Sequence, residues 1–123
     1  MFNEEQIWKL VDAKRAGFIA LSDRVFETPE TLYNEFASVA EHLAVLKAEG
    51  FTVSEGICGM PTAVMGEAGT EGPVIAILGE FDAPAELSQA PGVAEHSPIE
   101  AGGNGHGCGH NLLGAASLLA ATA

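Results

Sequence analysis

Apolar residues in the first half recur at the spacing of a helix. Ile7, Val11, Phe18, Leu21 and Val25 mark one stripe, interrupted at Lys14 and Arg15. Asn3 and Gln6 have the spacing of a capping box, and Glu4 and Glu5 suit the positive end of a helix dipole. Thr28-Pro29-Glu30 then reads as cap, first turn and acid of a second helix. Its stripe would be Leu32, Phe36, Val39, Leu43 and Leu46, with Gly50 as the stop. Both stripes are read as core packing.

From Phe51 the period shortens. Phe51-Thr52-Val53 and Thr62–Gly66 are strand candidates, the second following a Gly59-Met60-Pro61 turn. Val74-Ile75-Ala76-Ile77-Leu78 is a continuous, β-branched-rich run, the mark of a strand buried on both faces of a parallel or mixed sheet. The next two dozen residues carry three prolines and no period, and read as loop. Asn111 to Ala123 is helical and has no charged residue. A helix that is apolar all round needs burial on all sides. The expectation is therefore an α/β fold, helices packed on a mixed sheet, forming the front part of a longer polypeptide.

Composition narrows the functions. At 123 residues and 12.7 kDa the chain is one domain at most. The net charge is −12. The first fifty residues hold nine acids against five bases; from Phe51 onward there are eight acids and no Lys or Arg. Phosphate backbones and anionic membrane surfaces both require basic residues, so neither nucleic acid nor membrane is expected as a partner. The acidic start with no apolar core behind it reads as no secretory signal. Two cysteines fit a reducing compartment, and the expected location is cytoplasmic. Cys58 reads as a small buried residue, and His42 and His96 as solvated.

The chemistry concentrates in His106-Gly107-Cys108-Gly109-His110-Asn111. Thiolate and imidazole are favoured ligands of zinc-like ions, and the interleaved glycines permit a sharp turn. The segment lacks the glycine spacing of a dinucleotide fingerprint, the Lys of a P-loop and the CxxC of a thioredoxin site. The second constellation, Glu80-Phe81-Asp82, ends the apolar run. A carboxylate there suits either a metal, held directly or through a histidine, or the capping of a turn.

Three stretches, GFTVSEGICGMPTAV, PVIAILGEFDA and GGNGHGCGHNLLGAASL, resemble the M20 metallopeptidase/amidohydrolase family, and within it the aminobenzoyl-glutamate hydrolase and dipeptidase branch. The resemblance runs from about Thr31 to Leu118. It implies the N-terminal portion, residues 1–123, of a zinc-peptidase-like catalytic domain, with the lid domain and the rest of that domain downstream. It implies hydrolysis of the amide bond of N-acyl amino acids or dipeptides at two divalent metal ions, zinc or manganese. Cys108 and His110 would be metal ligands and Asp82 the carboxylate that orients a histidine ligand. His106, Glu80 and Asn111 would line the site. The general-base Glu and the remaining ligands would lie beyond Ala123, so the 123 residues alone are expected to be inactive. A homo-oligomer fits the family. The chain departs from its branch after Asp82, where Pro84 and Glu86 replace the usual turn, and it carries Glu80 where many members have a histidine. The competing expectation is a non-catalytic truncated piece or a partner-dependent metal-binding module.

Overall fold

The computed structural model describes residues 4–123. It holds three helices and one small sheet: α1 (Glu4–Phe26), α2 (Phe36–Ala48), β1 (Thr52–Glu55), β2 (Val64–Glu67) and α3 (His110–Thr122). The capping box expected at Asn3 begins outside the described residues. No helix is long and apolar enough to cross a membrane among those residues.

The core forms where the helical stripes meet. Phe18, Leu21 and Val25 of α1 pack with Leu46 of α2 and with Ala115 and Leu118 of α3. Phe51, Val53, Val64 and Phe81 close the cluster from the side. Burying a side chain of the Leu class contributes about 1.5–3 kcal/mol, so these few residues hold the helices together. The first half of α1 is more exposed; Ile7 and Leu10 lie outside the core.

The second helix starts later than its cap signal. Thr28 Oγ1 donates to Arg24 O and so finishes α1 instead of opening α2. Leu32 and Phe36, expected in the stripe, are exposed, while Val39 and Leu46 are buried. Glu30 still serves α2, but from a distance. Its two carboxylate oxygens accept from the backbone N–H groups of Ala37 (2.9 Å) and Ser38 (2.8 Å). That satisfies two of the orphan donors at the helix start and sets a negative charge on the positive end of its dipole. The stop at Gly50 is as expected. Gly50 has φ +86°, its N–H donates to Lys47 O, and Phe51 N–H donates to Leu46 O. This is the paired-bond helix ending that glycine favours.

β1 and β2 pair antiparallel with Thr52 opposite Glu67 and Glu55 opposite Val64. They are the whole sheet among the described residues, so the sheet is antiparallel rather than mixed. The expected central strand, Val74–Leu78, has no regular structure, and Val74 and Leu78 are 98% and 86% exposed. A strand exists only through a ladder partner, and β1 and β2 pair with each other. The run is tied down at its end, where Ser117 Oγ of α3 donates to Leu78 O at 2.8 Å. The final helix also differs from expectation: it buries one face through Asn111, Gly114, Ala115 and Leu118, and Leu112 and Leu113 stand in solvent.

Candidate metal centre

The site begins with two spacings. In extended chain, residues two apart point the same way. Glu80 and Asp82, two apart in the segment following Leu78, bring their carboxylates to one place, and Phe81 between them reaches α2. The Phe81 ring lies against His42 of α2, with centroids 4.6 Å apart. Gly114 allows α3 to come close to this segment. A Cβ there would fall 2.7 Å from His42 Nε2 and 2.8 Å from Glu80 O, too near for any other residue without a shift.

The third group comes from the start of α3. Gly109, at φ +80°, turns the chain so that His110 becomes the first helical residue. The His110 ring lies between the two carboxylates. Nδ1 is 2.7 Å from Asp82 Oδ1, and Nε2 is 3.3 Å from Glu80 Oε2. With Nδ1–H donating to Asp82, Nε2 carries its lone pair on the side of Glu80. A carboxylate that fixes ring and tautomer in this way is the usual partner of a metal-binding histidine. One ligand atom each from Glu80, Asp82 and His110 lie within 4.8 Å of one another. An imidazole with two carboxylates is a donor set suited to zinc or manganese, and the residues present fit one such ion.

The rest of the glycine-rich segment faces elsewhere. His106, expected to line the site, is buried behind it against α1, with Nε2–H donating to Val25 O at 3.0 Å. Asn111, expected beside it, is also buried and donates from Nδ2 to Ser22 Oγ at 2.9 Å. Asn104 Nδ2 reaches Pro29 O, and Gly105 N–H donates to Pro84 O. These bonds tie the segment to the last turns of α1, to Pro29 and to Pro84, and anchor the turn that presents His110. Cys108 is exposed with a free thiol and stands outside the three-residue group.

His42 was expected in solvent and is instead 4% exposed, with Nδ1–H donating to Ser38 O. Burial pushes its pKa below the ordinary value near 6.5, against the opposing effects of the Ser38 bond and the Glu41 charge. His106 is lowered too, first by burial, with the Val25 bond and the Asp82 carboxylate opposing and His110 reinforcing. Cys58, expected to be buried, is exposed at φ +55° in the turn Ile57–Gly59.

Between positions 79 and 82 and the turn before β2 lies a cleft of about 250 Å³, lined by Tyr33, Glu35, Met60, Thr62 and Phe81 together with Glu80 and Asp82. The sequence carried no sign of Tyr33 or Glu35 as site residues. Met60 and Thr62 lie within one of the three resembling stretches, and that was their only signal.

No protein-family model matches the chain. Over 124 aligned positions it is 44% identical to one of the subunits of p-aminobenzoyl-glutamate hydrolase from Escherichia coli (strain K12), an alignment that takes in 97% of this chain. The chain is related to an aminobenzoyl-glutamate hydrolase. The resemblance read from GHGCGHNLLG and GEFDA is thereby borne out. The chain spans about a quarter (26%) of the length of this relative. The shared length includes all the segments that build the Glu80–Asp82–His110 group.

Proposed function

We propose that these residues form one wall of the active site of a metal-dependent amidohydrolase, in a zinc-peptidase-like catalytic domain. Its substrates would be N-acyl amino acids or dipeptides of the aminobenzoyl-glutamate kind. The observation that carries the reading is the Asp82–His110–Glu80 arrangement, in which one carboxylate orients the imidazole and the other stands at its free nitrogen. The relative's name indicates hydrolysis of an acyl-glutamate amide, which is the same class of reaction.

His110 and Glu80 would hold the ion, with Cys108 as a further ligand by the family resemblance. Two divalent ions would complete the site, with ligands from sequence beyond the 123 residues. A bound divalent ion polarises a scissile carbonyl and lowers the pKa of water. Asp82 accepts from His110 Nδ1–H, which leaves Nε2 turned toward Glu80 as the nitrogen that would hold an ion. The Gly114 contact fixes the Glu80 backbone, and His42 supports Phe81 between the two acids. A homo-oligomer and a cytoplasmic location fit this reading.

The test is zinc and manganese binding, measured by titration calorimetry and by metal content after dialysis. His110→Ala should abolish high-affinity binding. Asp82→Asn should weaken it about 10–100-fold, the usual cost of losing a partner of a metal-bound histidine. Cys108→Ala reports whether the thiol takes part. Unchanged metal content in both His110→Ala and Cys108→Ala would refute the assignment.

A further inference from the structure

The segment that carries both carboxylates is held by its backbone only at its ends. Ser117 Oγ donates to Leu78 O on one side, and Ala83 N–H donates to Glu30 O on the other. Between these ties, among the described residues, no backbone N–H or C=O of residues 79–82 has a hydrogen-bond partner. The placement of Glu80 and Asp82 therefore depends on side chains. Their own contacts with the His110 ring are unequal, 2.7 Å from Asp82 to Nδ1 and 3.3 Å from Glu80 to Nε2. A displacement of about half an ångström, the tolerance of a preorganised site, would undo that pairing.

The remaining hold is on Phe81. Its ring packs against the edge of the core and lies tilted by 31° on the His42 imidazole. Apolar packing is non-directional and does not fix how a ring is turned. His42 does fix it, because its own orientation is set. It is buried in α2, and its Nδ1–H donates to Ser38 O at 2.9 Å. Its other edge is backed by α3, where a Cβ on Gly114 would come within 2.7 Å of Nε2. That Nε2 is buried without a hydrogen-bond partner among the described residues. An unpartnered buried polar atom costs stability, so packing alone would favour an apolar side chain here. We propose that His42 is a positioning residue of this site: by clamping the Phe81 ring it holds Asp82 on Nδ1 of His110 and Glu80 beside Nε2. The inference rests on the metal reading for what this alignment serves. The clamp itself needs no ion.

The test uses the 123-residue chain with 15N-labelled histidine, in EDTA, and follows exchange of the ring N–H protons with water. The His110 Nδ1–H reports the bond to Asp82, and its signal is identified by its loss in His110→Ala. The His106 Nε2–H, bonded to Val25 O, is the internal control. His42→Ala should speed exchange at His110 about fivefold or more, and at His106 by less than about twofold, as a local rather than a global opening. Phe81→Leu keeps apolar bulk but gives up the ring face, and should act in the same direction. Because His42 works through Phe81, the double variant should exchange no faster than His42→Ala alone. Should His42→Ala fail to fold, Phe81→Leu carries the same comparison of His110 with His106. An unprotected His110 proton in the unaltered chain, unchanged exchange in the variants, equal acceleration at His106 in a folded variant, or effects that multiply in the double variant would each overturn the inference. No ion takes part in these measurements, so they and the metal-binding test of His110→Ala fail separately.

Discussion

Two of the stretches that lack regular structure are held in opposite ways. Residues 102–109 are glycine-rich and polar, yet they are pinned: His106 and Asn104 reach across more than seventy positions to Val25 O and Pro29 O, and Asn111 beyond them fixes Ser22. Val74–Leu78 is the most hydrophobic run in the second half, yet it stands in solvent. Apolar character drives burial but does not say against what. A polar side chain with a specific acceptor does. Here buried hydrogen bonds place a segment that hydrophobicity leaves unplaced.

This contrast can be broken most forcefully at the anchors. Asn111→Ala removes the bonds to Ser22 and leaves a buried hydroxyl short of its partner, and His106→Ala removes the long-range bond to Val25 O, which keeps only Thr28 N–H. Each should cost about 1–3 kcal/mol of unfolding free energy, read from urea denaturation. The pH dependence is next. Burial lowers the pKa of His42 and His106 in the folded chain, so below about 6.5 the unfolded chain binds more protons. Stability should be fully present above pH 6.5. It should fall as the solution is acidified, by at most about 1.4 kcal/mol per pH unit for each histidine. His42→Phe should flatten the slope measured by denaturation at several pH values. The smallest effect belongs to the apolar run. Ile75 is 80% exposed, so Ile75→Ala should change stability by less than about 0.5 kcal/mol, against about 2–5 for a buried Ile. A large loss at Ile75 would mean that the run packs against something in solution.

The sequence made the helices legible because their periods and stops are local. The stripe Phe18-Leu21-Val25 became core, and Gly50 ended α2. It made the two short strands legible to within two residues, but not their antiparallel pairing. It did not show that Val74–Leu78 would lack a strand, because pairing depends on partners that no local pattern specifies. It named Asp82, His110 and Glu80 from their motifs, but left Glu80 without a task. The i, i+2 spacing was the available sign that both acids come to one place. His106 and Asn111 were misplaced for a physical reason: an imidazole or amide in a ligand-rich motif has the same chemistry whether it faces a metal or a helix carbonyl. Tyr33 and Glu35 were invisible, since only the fold brings them to the segment after Leu78.

One residue with no chemistry of its own ties these parts together. The carboxylate of Glu30 receives the first amides of α2, and its backbone oxygen accepts from Ala83 N–H at 2.7 Å, next to Asp82. The nine residues between the first two helices thus act as a gauge block: their length fixes how far the second helix stands from the acid that faces His110. Inserting or deleting a residue there would throw the carboxylate out of alignment while leaving every ligand in the sequence. Alignments of such chains should therefore tolerate changes of residue in this connection far better than changes in its length.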